Sequence, residues 1–383
     1  MNREPTYQAA RSVAATVANH FARQLTAARA RGEDQLAPEP NQATIAAIID
    51  TTFWASLLRE EGNSPKISLA FVPPEDVAHP IVFERRLALT PNYLTKLGPA
   101  VERPEIHLGV WSDANELYVW GATRTVPSYC FVLEVIEPGL LVIKHRRSDG
   151  FGKFANVAVL KGDRVKVIDE NGTSLPDCPD LLTSLLAFTS PSSWTEGHES
   201  VNVLVQLAAS MRAHGHGGLL LVIPAGSERW RESIVHPILY AVDPPYDGLT
   251  DLMEQEVNDE NERLWQASMR RAVDTVAGLT AVDGATVISD KYELHAFGAK
   301  IRRATHSTPV EEIITTEPII GNRPVVIHPG LSGGTRHLSA AQFVYDVRDA
   351  MALVASQDGR FTIYAWSPCE NMVHAHRVDT LLL

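Results

Sequence analysis

The sequence predicts a chain of two parts. Residues 1–190 form a β-rich α+β region, and residues 196–383 form an α/β domain with a mixed sheet flanked by helices. The first part has short apolar segments separated by Gly, Pro, Asn and Asp, which is typical of antiparallel strands. The second alternates helical periodicity with wholly apolar strands. Between them, residues 190–196 turn polar, which predicts the boundary there.

Composition narrows the class of protein. A chain of 383 residues can bury one or two cores without a metal or disulfide, and its three cysteines are widely spaced and odd in number, which favours a reducing compartment. There is neither a run of 18 apolar residues nor a secretory signal. The net charge of −12 argues against duplex nucleic acid. We therefore expect a cytoplasmic protein without membrane or duplex partners; a small anion held by local donors is compatible with this charge.

Two helices are predicted at the start of the chain. The first has an apolar residue at every fourth position and arginines in its last turn, before Gly32. Its apolar stripe consists of Val13, Val17, Phe21 and Leu25. A transit peptide is the weaker interpretation of the same arginine-containing segment. The second helix is predicted over Ala43–Arg59.

Strands dominate the rest of the first part. They are predicted at Lys66–Val72, Ile106–Trp111, Leu117–Ala122, Cys130–Ile136, Leu140–Lys144, Asn156–Leu160 and Arg164–Ile168. Residues 150–155 match the dinucleotide pattern G-x-G-x-x-A, but a strand follows where that fingerprint needs a helix. We interpret this segment as a hairpin turn. A short helix is predicted at Leu181–Phe188.

The second part alternates helices and strands. Helices are predicted at Val203–Arg212, over the long stretch Leu249–Leu279 and from Ser339 onward; strands are predicted at Gly217–Ile223, Val282–Ser289, Leu294–Lys300, Pro324–His328, Leu353–Ser356 and Arg360–Trp366.

The first candidate site is Asp283-Gly284-Ala285, within an apolar strand pattern. A carboxylate is costly to bury there unless it is paired or binds a metal. The glycine after it allows a ligand to approach the backbone. The alternative is a β-bulge or strand entry with a capped aspartate.

The second candidate site is Gly333-Gly334-Thr335-Arg336-His337, which precedes a predicted helix. Free amides, the helix dipole and a bidentate arginine together favour a phosphate. The alternative is a glycine turn with a capping hydroxyl. The pairs His214/His216 and His374/His376 each resemble half of a metal site, but no further ligands stand nearby, so we do not expect metal there.

These two motifs, with Ser356-Gln357-Asp358-Gly359 after them, resemble the diadenylate cyclase domain. The glycine-then-apolar strand from His216 to Ile223 is also similar to the start of that domain. The resemblance covers residues 200–366, and residues 1–190 show none that we can name. It implies that Asp283 supports a metal and the attacking hydroxyl, that Thr335, Arg336 and His337 bind phosphates, and that Ser356 contacts the nucleotide.

Two departures bear on activity. Leu338 stands where the family has a second arginine, and Gln357 replaces a glutamate. Nucleotidyl transfer depends on metal and clustered charge more than ground-state binding does, so these losses should cost catalysis more than affinity. The pattern is most similar to the DACNV type of probable sensor domain, which implies binding of a nucleotide or nucleotide-derived second messenger in bacterial signalling or defence.

We therefore expect a non-catalytic sensor. The alternatives are an active diadenylate cyclase that makes a cyclic dinucleotide from ATP, and a scaffold whose pocket has lost its ligand. The predicted nucleotide-binding residues are Asp283, Gly284, Ala285, Gly333, Gly334, Thr335, Arg336, His337 and Ser356. Asp283 is catalytic only if the chain is an enzyme, and it is also the candidate metal ligand.

The expected ligand is a nucleotide or a cyclic or linear oligonucleotide, with Mg²⁺ or Mn²⁺ only in its company and no certain resident cofactor. A separate effector protein and a homodimer are further candidate partners. The long insert between Val222 and Val282 leaves two alternatives, because it could cover the pocket or block a face-to-face dimer.

Overall fold

The structure, a computed structural model, describes residues 5–103, 105–113, 116–147, 154–169, 203–255 and 261–383. It divides into two compact units, unit 1 with residues 1–168 and Leu383, and unit 2 with residues 169–382. The predicted boundary at 190–196 and the predicted helix Leu181–Phe188 lie outside the described residues. In the part of the chain that is described, no helix has the length and apolar character needed to cross a membrane.

In the residues of unit 1 that the structure describes, three α-helices combine with an eight-stranded sheet. The helices are α1 (Gln8–Ala30), α2 (Gln42–Leu57) and α3 (Pro91–Leu97); the strands are β1 (Ser68–Phe71), β2 (Ile81–Ala88), β3 (His107–Asp113), β4 (Glu116–Thr123), β5 (Phe131–Glu137), β6 (Leu140–Arg146), β7 (Phe154–Lys161) and β8 (Arg164–Val167). The strand order is β2-β4-β3-β1-β5-β6-β7-β8. Only the β1–β3 pair in this sheet is parallel.

The sequence predicts most of unit 1 correctly. All seven predicted strands are present, and Val13, Val17 and Phe21 of the α1 stripe are buried in the main core together with residues of α2 and the sheet. Leu25 is buried in a separate cluster with Ala28 and Tyr129. Strands β6 and β7 pair antiparallel, and residues 148–153 between them lie outside the description. Strand β2 escapes prediction because it is a mostly exposed edge strand with Glu84, Arg85 and Arg86 in its middle, so it shows no alternation.

The described part of unit 2 combines four α-helices with a nine-stranded mixed sheet. The helices are α4 (Val203–Ala213), α5 (Gly248–Glu254), α6 (Glu262–Leu279) and α7 (Thr335–Asp346); the strands are β9 (Gly218–Ile223), β10 (Tyr240–Tyr246), β11 (Ala285–Ser289), β12 (Leu294–Ala299), β13 (Ile313–Thr316), β14 (Val325–Ile327), β15 (Met351–Ala355), β16 (Phe361–Ser367) and β17 (Met372–Arg377). The strand order is β10-β12-β11-β9-β15-β16-β17-β13-β14.

Three expectations for unit 2 need correction. The predicted helix Leu249–Leu279 is two helices, because α5 ends at Glu254 and Gln255 is extended. Helix α7 begins at Thr335, four residues before the predicted start at Ser339, with Gly334 as its N-cap. The sequence does not predict strands β10, β13 and β17; in β17, His374 and His376 stand two residues apart, so both lie on the same face of the strand.

The sheet of unit 2 brings the predicted motifs to one edge. Strands β9 and β11 are parallel, so both begin there, and β15 runs antiparallel to β9, so it ends there. In register, Ala355 at the end of β15 faces Gly218 at the start of β9. Helix α7 packs on one face of this sheet through Ala340, Phe343 and Val344, which belong to the core of unit 2.

Candidate functional site

Four segments meet at this edge of the unit 2 sheet. Gly217 precedes β9, Asp283 and Gly284 precede β11, and Ser356 follows β15. Arg336 lies in the first turn of α7, and its side chain contacts the backbone at Gly217. We call this place, defined by Gly217, Asp283, Arg336 and Ser356, the motif edge.

The side chain of Arg336 lies against Gly217. A Cβ atom built on Gly217 would lie 2.7 Å from Nη1 of Arg336 and 3.2 Å from the carbonyl oxygen of Ala355. Gly217 also has a φ of 72°, which side chains disfavour. Arg336 is half-buried, and its charge contributes to the lowered pKa of Asp283. The structure thus brings together two residues that stand 53 positions apart in the sequence.

Asp283 is exposed and already paired. Its carboxylate accepts a hydrogen bond of 2.6 Å from Nζ of Lys300, which also donates to the backbone oxygen of Asp283 at 3.0 Å. The hydrogen bond and charge of Lys300, then the charge of Arg336, lower the pKa of Asp283. Lys300 is absent from the predicted site, although the β11–β12 pairing of Ala285 with Ala299 places it beside Asp283.

The residues present fit a metal poorly. Over the ranges described, no group of three or more His, Cys, Asp or Glu side chains could hold an ion. At the motif edge, Asp283 already has an ammonium partner, which a cation would have to displace.

The close approach at Gly284 is made by the protein itself. Gly284 has a φ of 128°, and a Cβ atom there would lie 2.4 Å from the carbonyl carbon of Gly298. The glycine in Asp283-Gly284-Ala285 thus allows the backbone of β12 to pass. The approach of Gly298 therefore accounts for a glycine at position 284. The sequence alone predicts that this glycine leaves space for a ligand.

Helix α7 presents an N-terminus without a side-chain cap. Gly334 is the N-cap residue, and a glycine has no side chain with which to cap the amides of the first turn. Thr335 is exposed. The predicted phosphate loop is therefore partly helical, with Gly333 and Gly334 as its loop portion and Thr335, Arg336 and His337 in the first turn.

His337 is buried beneath that loop. Its Nδ1 lies 2.9 Å from the hydroxyl of Tyr364, and its Nε2 lies 2.9 Å from the hydroxyl of Ser356. A Cβ atom on Gly333 would lie 2.2 Å from Cδ2 of the imidazole, so Gly333 leaves the space that the ring fills. Burial is the main cause that lowers the pKa of His337. A direct phosphate contact of His337 stays a prediction, since both ring nitrogens already have partners.

Two further residues join this group. The hydroxyl of Tyr364 also lies 2.9 Å from that of Ser332, so four side chains form a continuous hydrogen-bonded chain. Neither Tyr364 nor Ser332 belongs to the predicted site. Ser332 directly precedes Gly333, but Tyr364 lies inside an apolar strand, where nothing in the sequence distinguishes it from a core residue.

The two departures from the cyclase pattern are both at the surface. Leu338 is exposed on α7. Gln357 donates a hydrogen bond of 3.3 Å to the backbone oxygen of His216, which ties the segment after β15 to the loop before β9. In that loop His214 accepts from the amide of His216 at 3.1 Å and pairs with Thr280 at 3.2 Å, so both its ring nitrogens are engaged.

A comparison with protein families finds a match within unit 1. Residues 34–124 match the family described as Probable sensor domain DACNV. Among curated proteins, none matches the sequence. Among solved structures, the chain is similar to the crystal structure of DacA from Staphylococcus aureus, a cysteine double mutant: 14% identity, 45% of this chain and 83% of that chain covered, and a TM-score of 0.24.

The position of the family match corrects one expectation. The motifs attach the resemblance to residues 200–366 and leave residues 1–190 without any, whereas the match spans the segment from Asp34 to Arg124, which includes α2 and β1–β4. The motifs singled out in the sequence all lie outside this segment, so motif reasoning finds nothing in it. Over residues 34–124 the chain is thus similar to the probable sensor domain DACNV.

Proposed function

We propose that unit 2 binds a nucleotide or nucleotide-derived second messenger at the motif edge and acts as a sensor in bacterial signalling or defence. The observation that carries this is the contact of Arg336 with Gly217 at an edge where the α7 N-terminus also lacks a side-chain cap. A guanidinium and free helix amides are donors that a phosphate accepts. The similarity of residues 34–124 to a probable sensor domain supports the sensor role.

The charges at the motif edge favour binding over synthesis. Lys300 neutralises Asp283, and Leu338 supplies no second cation to the first turns of α7. The motif edge therefore offers few groups that could stabilise the charge that develops in a transition state. Binding of a ground-state ligand requires fewer such groups. A separate effector protein and a homodimer stay predictions.

Isothermal titration calorimetry of the full chain with ATP, GTP and cyclic dinucleotides tests the proposal. We expect heat with at least one of them, and a loss of about 1.5–3 kcal/mol in Arg336→Ala, the value of a hydrogen bond to a charged group. Arg323→Ala, at an exposed arginine before β14, is the matched control. No heat from the folded wild-type chain with any nucleotide would overturn the proposal. An unchanged affinity in Arg336→Ala would favour another binding mode.

One observation favours a second candidate, an active diadenylate cyclase. Asp283 is ionised, exposed and close enough to Arg336 for their charges to interact. Incubation with ATP and Mg²⁺ or Mn²⁺, followed by chromatography, separates the two candidates. Product that forms in the wild type and disappears in Asp283→Asn would establish the enzyme, and nucleotide binding without product supports the sensor.

A further inference from the structure

The chain from Ser332 through Tyr364 and His337 to Ser356 links two half-exposed hydroxyls through a buried core. Tyr364 is fully buried and His337 is 2% exposed, whereas both serines are accessible to solvent. All three links measure 2.9 Å. Ser332 lies before the loop of the second motif, and Ser356 belongs to the third. The chain therefore joins two sides of the motif edge.

The hydrogens in this chain can be counted. With a neutral imidazole, the three hydroxyls and one ring N–H supply four hydrogens for three links. The buried phenol cannot leave its hydrogen unpaired without a penalty, so the spare hydrogen lies on one of the two terminal serines. Only one serine can then donate outward, and the other can only accept.

Protonation of His337 changes this count. The imidazolium donates at both nitrogens, so the Tyr364 hydroxyl accepts from Nδ1 and donates to Ser332, while Ser356 accepts from Nε2. Both serine hydroxyls then have a hydrogen free to point outward. An anion, which only accepts hydrogen bonds, is best served by this state.

We propose that Ser332 and Ser356 together donate to the anionic phosphates of the ligand, and that His337 takes up a proton from solvent when they bind. This rests on the proposed function for the identity of the anion. It adds Ser332 as a binding residue and assigns His337 and Tyr364 as positioning residues, which act through the two hydroxyls rather than by contact with the ligand.

The surroundings of His337 suit this role. Burial lowers its pKa most; Asp358 raises it, and Arg360 and Arg377 lower it, so the ring is neutral in the free protein at neutral pH. Burial raises the pKa of Tyr364 to about 12, which keeps the phenol protonated. A bound anion adds negative charge close to the ring, and a nearby negative charge favours the imidazolium.

Inorganic sulfate is the direct probe, because it stays fully ionised near neutral pH and cannot itself take up the proton. Thermal unfolding of the full chain is measured as a function of sulfate concentration at about pH 6 and about pH 8. These values lie on either side of the ordinary histidine pKa of about 6.5. We expect the apparent sulfate affinity to weaken with rising pH, by at most about tenfold per pH unit for a single proton.

Two variants give the matched comparison. His337→Gln keeps a donor and an acceptor but cannot titrate, and should remove the pH dependence. His306→Gln, at an exposed histidine before β13, should retain it. Non-specific salting effects of sulfate are common to all three chains and cancel in the comparison.

A third variant, Ser332→Ala at the half-exposed end of the chain, covers the case that His337→Gln fails to fold. It should weaken sulfate binding about ten- to a hundredfold, the value of one hydrogen bond to a charged group. A wild-type sulfate response that is absent or independent of pH, a pH dependence that survives in His337→Gln, or an unchanged affinity in Ser332→Ala overturns the inference. Calorimetry without nucleotide heat alongside a pH-dependent sulfate response would overturn only the proposed function.

Discussion

Buried histidines occur in both units, and their surroundings differ. In unit 1, His20 and His145 pack against each other with ring centroids 5.2 Å apart, and Phe21 and Tyr129 also contact this pair. In unit 2, His337 uses both nitrogens in hydrogen bonds that lead to half-exposed hydroxyls. Burial makes protonation unfavourable in both places. In unit 2 this polar route connects the ring to half-exposed serines, so a ligand there can compensate for the charge.

Acid should therefore destabilise unit 1, and this is the largest effect that we expect. Burial, then Arg23, lowers the pKa of His20 from 6.5 to about 4. Above pH 6.5 the ring is neutral in both folded and unfolded chains. As the pH falls from there towards 4, only the unfolded chain binds the proton, so stability falls by about 3 kcal/mol at most. Burial, then His20 and Arg147, lowers the pKa of His145 in the same direction.

Urea unfolding at about pH 6.5 and about pH 4.5, read from amide exchange in α1, measures this loss. His20→Gln should reduce it, because a neutral amide does not titrate, while His306→Gln should leave it unchanged. Equal acid losses in wild type and His20→Gln would show that His20 does not carry the effect.

Two adjacent glycines test how far the hydrogen-bonded chain from Ser332 to Ser356 depends on the packing around His337. Gly333→Ala would place a Cβ atom 2.2 Å from Cδ2 of His337, whereas at Gly334 nothing lies within 4 Å. We expect Gly333→Ala to cost about 1–3 kcal/mol from overpacking and to abolish the pH-dependent sulfate response. Gly334→Ala should keep that response. Thermal unfolding with and without sulfate distinguishes them, and identical behaviour of the two variants would contradict the packing described for His337.

A second glycine pair isolates the contact of Arg336. Gly217 and Gly215 have φ values of 72° and 69°, so alanine is strained at both by a similar amount. At Gly217 the added Cβ would also lie 2.7 Å from Nη1 of Arg336, while at Gly215 it meets nothing within 4 Å. Nucleotide affinity should fall by about tenfold more in Gly217→Ala than in Gly215→Ala, or about 1.4 kcal/mol. Calorimetry measures the ratio of the two nucleotide affinities. Equal affinities in Gly217→Ala and Gly215→Ala would indicate that Arg336 does not bind the ligand.

The smallest effect is expected at the exposed ion pair. Lys300 and Asp283 have side chains that are 54% and 93% exposed. Such exposed pairs contribute little to stability, so Lys300→Ala should change the free energy of unfolding little. Its pH profile between about 3 and 5, where carboxylates titrate, should shift because the pKa of Asp283 rises towards its ordinary value. An unfolding energy lowered by several kcal/mol would show that the pair braces the β11–β12 hairpin.

The sequence predicts strands and helices where periodicity is strong, and misses what depends on distant packing. The apolar strands β9 and β11 and the α1 stripe are foreseeable because burial fixes their pattern. The meeting of Arg336 with Asp283 follows from the order of the motifs once the parallel pairing of β9 and β11 is known. Tyr364 and Lys300 could not be selected in the same way, because their partners are set by strand register.

Amide hydrogen exchange of the full chain with saturating ATP or cyclic dinucleotide tests the central claim most directly. We predict increased protection in three segments of unit 2, residues 214–218, 330–338 and 355–359, and no change in residues 34–124. Protection confined to residues 34–124, the part that is similar to the probable sensor domain DACNV, would place the ligand in unit 1 and contradict the site proposed at the motif edge.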